Sequence, residues 1–170
     1  YEISLGLVGS EMCIRDRSFG TENISYILSN TDNISHAISK SDLVIGSVYV
    51  VGKEAPKVIT KDMLKVMKPG SVLVDISIDQ GGCVETSRPT THDDPIFIED
   101  GVVHYCVTNM PGAVPLTASL ALNQATLPYI EKIADLGLSQ ALKEDLHLAN
   151  GLNMANGIVK HDSVSAALDN

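Results

Sequence analysis

The sequence predicts an α/β fold, a parallel sheet with flanking helices followed by a helical C-terminal segment. Three observations carry this reading. Apolar, β-branched runs recur at residues 43–48, 71–78 and 102–107, the length of strands and bounded by turn residues. The stretches between the early runs carry caps and helical spacing, and strand alternating with helix implies right-handed β-α-β units. From Pro115 onward the character changes, and sheet-type runs give way to helical segments.

Residues 1–17, YEISLGLVGSEMCIRDR, match nothing downstream in pattern. They resemble the conceptual translation of a sequencing-adapter read, and are set apart as non-native. The alternative is a genuine N-terminal strand and turn. On the first reading the chain is a truncated gene product.

Residues 23–28, NISYIL, form a short strand-like run ending at Ser29-Asn30. Thr31 or Asp32 then caps a helix to about Ser39, with Ile34 and Ile38 on one face. Ser41-Asp42 leads into the apolar strand 43–48, and the loop 51–57 carries Gly and Pro. Thr60 caps a helix over 61–67 that turns Met63, Leu64 and Met67 inward. Pro69-Gly70 is a turn, because Pro presets φ and Gly accepts positive φ. The run SVLVDISI, 71–78, is continuous enough to be buried on both faces of a parallel sheet. It ends at Asp79-Gln80-Gly81-Gly82, a carboxylate beside two glycines that let the backbone approach a ligand. Open α/β sheets bind ligands there, outside the carboxyl ends of the strands.

Residues 88–95 read as a polar loop, Asp100-Gly101 as a turn and 102–107 as a strand ending in the loop 108–112. Residues 116–136 form a long amphipathic helix with Leu120, Leu127, Ile130 and Ile133 among its buried positions, stopped by Gly137. A shorter helix spans 139–149, a Gly/Asn-rich loop 151–157 and a last helical turn or two 162–168. The change of pattern near Val114 places a domain boundary there, dividing 18–114 from 115–170.

Acidic side chains number 21 against 12 basic, a formal charge of -9, which argues against a nucleic-acid or anionic-membrane partner. No apolar run approaches the roughly 20 residues of a membrane span. Cys13, Cys83 and Cys106 include no CxxC pair, so no zinc site is expected and a reducing compartment is the default.

Among residues that carry chemistry, Asp79 reads equally as a proton-handling carboxylate and as a turn aspartate capping backbone N–H groups. Arg88 reads as a clamp for a phosphate or carboxylate, or as a solvated loop residue. His92 belongs to an exposed loop and His104 to a strand interior. His36, His147 and His161 show no ligand spacing. Asn109 and Met110 end a strand on the presumed ligand side. Neither GxGxxG nor GxxxxGK[ST] occurs, so the phosphate-cradling turn of a dinucleotide fold is missing from the sequence.

The pieces SDLVIGSVYVVGKEAPKVIT, MKPGSVLVDISIDQGGCVETSRPTTH, HYCVTNMPGAVPLTASLALNQATLPYI and GLNMANG span residues 41–156 and resemble the C-terminal part of alanine dehydrogenases. Proton-translocating transhydrogenases are similar through APK and MKPGS, but do not keep the strand-end aspartate and the SRPTTH loop. The resemblance implies the second half of a Rossmann-like NAD-binding domain, then helices of a substrate domain. It implies NAD-dependent interconversion of L-alanine with pyruvate and ammonia by a cytoplasmic homohexamer in L-alanine catabolism. Asp79 matches the catalytic aspartate. Ile76, Ser77 and Ile78 match the strand end lining the cofactor, and Val48 and Tyr49 a dipeptide packing against the nucleotide. Ser29 matches a serine near the adenine, and Arg88 an arginine at the cofactor site. Val107, Thr108, Asn109 and Met110 match a second strand-end loop touching nicotinamide and substrate. Tyr49 replaces a smaller aliphatic residue, and Thr108 stands where alanine is commoner. The family's catalytic histidine, its substrate-binding lysine and arginine and its glycine-rich turn lie upstream of the matched run. The polypeptide alone is therefore expected to be inactive and to bind NAD weakly. A transhydrogenase nucleotide-binding subunit and a non-catalytic nucleotide-binding module are the alternatives.

Overall fold

A computed structural model of the chain describes residues 5–9 by their backbone, and 24–50 and 54–168. The remainder of segment 1–17, and Val51, Gly52 and Lys53 of the predicted loop 51–57, lie outside the described residues. The chain divides into two compact units, one through Tyr49 and over Glu54–Thr108, the other from Asn109 onward with 50–53.

The first unit is mixed α/β. Its strands are β1 (Leu5–Gly9), β2 (Ile24–Leu28), β3 (Leu43–Gly46), β4 (Val72–Asp75), β5 (Ile96–Glu99) and β6 (Val102–Tyr105); its helices are α1 (Thr31–Lys40) and α2 (Lys61–Leu64). The main sheet has the order β3-β4-β6-β5, with β3, β4 and β6 parallel and β5 antiparallel to β6. The register pairs Gly46 with Asp75 and Val74 with Tyr105. β1 and β2 pair separately and in parallel, Leu5 opposite Ile24 and Gly9 opposite Leu28.

Local chemistry explains where the structure departs from the sequence reading. Helix α1 is capped by Asn30, not by Thr31 or Asp32: the Asn30 side chain accepts from the Asn33 N–H at 2.8 Å. Helix α2 ends at Leu64 rather than Met67, its last residues closing tighter turns, yet Met63, Leu64 and Met67 are buried as the spacing requires. The predicted strand 71–78 stops at Asp75, because the Asp75 carboxylate accepts from the Ser77 N–H and starts a 3₁₀ helix over Ile76–Gln80. Leu73 and Asp75 are fully buried, while Val72 and Val74 are half-buried. Strand β5 was not foreseen. Its signal is the Asp100-Gly101 turn, where φ is 48° and 79°, the paired positive values of a tight hairpin. The core joins Ile38 of α1, Ala55 and Ile59, Met63 and Leu64 of α2, Leu73 of β4, Cys83, Val84 and Val102.

The second unit contains a 3₁₀ turn (Met110–Ala113), α3 (Pro115–Leu136), α4 (Leu138–Glu144), α5 (Leu146–Asn150), the hairpin β7 (Met154–Ala155) and β8 (Ile158–Val159), and α6 (Asp162–Leu168). Gly137 ends α3 at φ 71° as expected. The predicted single helix 139–149 is two helices, because the Asp145 carboxylate caps the second by accepting from the His147 and Leu148 N–H groups at 3.0 and 3.1 Å. The predicted loop 151–157 includes one strand of the hairpin, which turns at Asn156-Gly157, both at positive φ. The positions of α3 expected to be buried are not: none of its residues is, and Leu120, Leu127 and Ile130 are exposed. A stripe of apolar side chains on a helix hides only where another element covers it.

Candidate functional site

Because β3, β4 and β6 run parallel and side by side, their carboxyl ends share one edge of the sheet. Sequence continues from that edge into residues 47–49, 76–82 and 106–108. All the predicted site residues of the first unit except Ser29 and Arg88 belong to those three stretches.

The edge is organised by a side chain the sequence reading passed over. Asp75 is fully buried, and its carboxylate accepts from the Ser77 N–H (3.1 Å), the Cys83 N–H (2.9 Å), the Val84 N–H (3.2 Å) and the Ser87 hydroxyl (2.6 Å). The Cys83 thiol donates to it as well, at 3.4 Å. A buried carboxylate persists only when its oxygens are met by donors. Gly82 has to be glycine here: φ is 76°, and an added Cβ would sit 2.8 Å from Asp75 Oδ2. Burial, and then the negative charge of Asp75, push the Cys83 thiol up to about 11; burial also raises Cys106. Both thiols therefore stay protonated and unreactive at neutral pH.

Ser77 is buried and its hydroxyl is fully engaged, accepting from the Val48 N–H at 2.7 Å and donating to the Val48 carbonyl at 2.9 Å. It braces the end of β3 against the end of β4. Ile78 and Val107 are also buried. Ile76, Tyr49, Asp79 and Thr108 are exposed, and Val48 is half-buried.

From the outer side, segment 54–59 lies along the same turn. Ala55 N–H donates to Gln80 O at 2.9 Å and Val58 N–H to Cys83 O at 2.8 Å, and Ile59 bridges Val84 in parallel. The Lys57 ammonium donates to the carbonyls of Gly81 and, at 2.7 Å, Gly82.

Arg88 is exposed, with its guanidinium carbon 4.1 Å from the centre of the Phe97 ring. Phe97 stacks in turn on His104, the ring centres 4.8 Å apart. His104 is fully buried; its Nδ1 donates to Val102 O at 3.0 Å and its Nε2 lies 2.9 Å from the Thr86 hydroxyl. Beyond Arg88, Thr90 bridges Val107 in parallel, which ties this loop to the end of β6.

A cavity of about 300 Å³ opens between α1 and β3, lined by Ile34, Ala37, Ile38 and Val44 with the hydroxyl-bearing Ser29 and Ser47. It brings together two predicted cofactor residues, Ser29 and Val48. Asp79, Arg88 and Thr108 do not line it. Asn109 and Met110 belong to the second unit, where Asn109 adopts a left-handed conformation at φ 56° and begins the 3₁₀ turn.

Residues 12–162 match the family described as Alanine dehydrogenase/PNT, C-terminal domain. The chain belongs to the alanine dehydrogenase/PNT family. It is 48% identical over 174 residues to alanine dehydrogenase of Halomonas elongata, covering 97% of this chain and 47% of that protein. Against alanine dehydrogenase of Staphylococcus haemolyticus it is 52% identical over 145 residues, 85% of this chain and 39% of that one. Among solved structures, an L-alanine dehydrogenase superposes with a TM-score of 0.82 at 39% identity, covering 98% of this chain and 46% of that one. A transhydrogenase from Sinorhizobium meliloti shares the fold at a TM-score of 0.68 and 23% identity, with 93% and 42% covered. This alanine dehydrogenase/PNT chain thus spans less than half the length of these relatives.

Asp75, Ser87 and Lys57 went unassigned in the sequence. A signal for Asp75 was present: a carboxylate inside the apolar run SVLVDISI is a buried charge that must find donors. Lys57 carries no such signal, since its partners lie beyond the next strand. Among the described residues no group of three or more His, Cys, Asp or Glu side chains is placed to hold a metal ion. Nor, among them, is any helix long and apolar enough to cross a membrane.

Proposed function

We propose that this chain is the C-terminal part of an NAD-dependent alanine dehydrogenase, which oxidatively deaminates L-alanine to pyruvate and ammonia and runs the reverse amination. The observation that carries the reading is the carboxyl edge of the sheet: Asp79 stands exposed on a 3₁₀ turn fixed by the buried Asp75, in a chain about half identical to alanine dehydrogenases. The 23% identity to a transhydrogenase supports the shared fold and gives that alternative no comparable weight.

The residues present fit part of a dinucleotide. The cavity between α1 and β3 offers apolar walls with the hydroxyls of Ser29 and Ser47, suited to a flat base and its sugar. Val48, Tyr49 and the stretch 76–78 would shape the neighbouring wall, and Arg88 offers a cation. Thr108, Asn109 and Met110 would meet the nicotinamide and substrate. The pyrophosphate finds no glycine-rich turn in this sequence. NAD, when bound, supplies the acceptor for the hydride that leaves the substrate Cα. Asp79 holds the proton traffic at the substrate nitrogen, or at the water that releases ammonia. Residues 18–114 would belong to the NAD-binding domain and 115–170 to the substrate domain, in a cytoplasmic homohexamer.

The test is Asp79→Asn in a full-length alanine dehydrogenase carrying this segment. NADH binding should be retained while turnover falls roughly 10²–10⁴-fold, the usual contribution of a general acid or base. A variant turning over at the parental rate removes Asp79 from the chemistry.

A further inference from the structure

We propose that Lys57 and Asp75 are positioning residues that grip the turn 76–84 from its two sides and so set the place of Asp79. This rests on the proposed role of Asp79 and extends it to side chains that touch neither substrate nor cofactor.

The two sides are complementary in charge. On the inner side, the Asp75 carboxylate gathers N–H donors from both ends of the turn, Ser77 at its start and Cys83 and Val84 at its finish. On the outer side, the Lys57 ammonium gathers the carbonyls of Gly81 and Gly82, which the turn leaves pointing away from its own interior bonds. Between the grips the turn closes on itself: Gly81 N–H donates to Ile78 O at 3.1 Å and Gly82 N–H to Ser77 O at 2.9 Å. Asp79 is the charged residue inside that closed loop.

The glycines show why a grip is needed. Gly81 and Gly82 both hold positive φ, at 85° and 76°, a conformation that confers no rigidity of its own. Two successive glycines beside a reacting carboxylate would let it wander, unless their carbonyls and the following N–H groups are held. Lys57 holds the former and Asp75 the latter. Segment 54–59 supplies the rail on which Lys57 rides, through the backbone bonds of Ala55 and Val58 to Gln80 and Cys83. Displacement of a reacting group by about 1 Å can cost a hundredfold in rate.

The experiment compares Lys57→Met, Lys57→Arg, Asp75→Asn and Asp79→Asn in a full-length alanine dehydrogenase that carries this segment. For Lys57→Met we expect kcat to fall about ten- to a hundredfold with the KM for NADH moving less than about twofold, and Lys57→Arg to recover most of the loss. Hydrogen exchange over residues 76–84 should quicken in Lys57→Met and in Asp75→Asn. Should Asp75→Asn fail to fold, the two Lys57 variants decide alone. Parental kcat in Lys57→Met, beside an impaired Asp79→Asn, overturns the proposal. So does a loss in Lys57→Met that appears only in KM. If Asp79→Asn is fully active, the reading of Asp79 has failed, and exchange judges the grip by itself. Faster exchange over 76–84 in Lys57→Met sustains it; unchanged exchange overturns it.

Discussion

Residues 71–84 and helix α3 are both strongly apolar in sequence, yet they end in opposite environments. Leu73, Asp75, Cys83 and Val84 have no exposed surface, whereas Leu116, Leu120 and Leu122 of α3 are 74%, 62% and 65% exposed. In the first region α2 and segment 54–59 lie over the strand, and even the charge it carries finds its donors inside the unit. In α3 the helix forms from local signals, Pro115 at its first position and Gly137 at its end, without burying any residue. Secondary structure is thus decided locally in both, while burial depends on what else is present to cover the surface. A helix apolar on several faces and exposed is a surface that requires a cover.

The sharpest way to break this comparison is to remove the charge at the centre of the first region. Asp75→Val keeps the volume near that of the carboxylate and leaves three backbone N–H groups, the Ser87 hydroxyl and the Cys83 thiol without their acceptor. Each orphaned buried donor costs about 1–3 kcal/mol, so a loss of at least about 3 kcal/mol is expected in urea unfolding. A variant as stable as the parent would mean that the donors find other acceptors, and that the edge is not organised by Asp75.

A milder comparison pairs one apolar residue from each region. Leu73→Ala should destabilise by about 2–5 kcal/mol, the cost of a methylene deficit plus the cavity left behind. Leu120→Glu in the isolated chain should stay within about 0.5 kcal/mol, as for any exposed position. Equal losses at the two sites would show that α3 is covered in solution after all.

What was legible in the sequence follows the same division. Strands β3, β4 and β6, the inward face of α2 and the ends of α3 were readable, because each is set by residues a few positions apart. The four-residue length of β4 was not, since Asp75 turns the chain by a side-chain bond that a run of apolar letters conceals. The break at Asp145 was hidden likewise: the carboxylate caps a new helix and also meets Lys132 at 2.7 Å. Asp79 was read at the end of the strand, but the strand stops at Asp75 and Asp79 falls on the 3₁₀ turn beyond it. The grip of Lys57 was not readable, because it joins residues on either side of α2 and β4. Ser77, matched to the cofactor wall, spends its hydroxyl on Val48, a partner whose position only the folded sheet reveals.

The last expected effect concerns pH and isolates the interior of the first region. Cys83 is raised from the ordinary thiol value of 9.0 to about 11, by burial first and by the Asp75 charge second. The unfolded thiol then ionises before the folded one, so between pH 9 and about 11 the unfolded state has fewer bound protons and is favoured as pH rises. The contribution is complete below the ordinary value and is lost as pH passes through the folded one. Cys83→Ser keeps a donor toward Asp75 Oδ1 but does not titrate in this range. Stability measured by urea midpoint at pH 8.5 and 10.5 should therefore fall less in Cys83→Ser than in the parent. At pH 8 the parent thiol should resist alkylation until the unit opens, which ties the same residue to a rate. Equal alkaline loss in parent and variant would place the titration elsewhere and leave the thiol a packing residue alone.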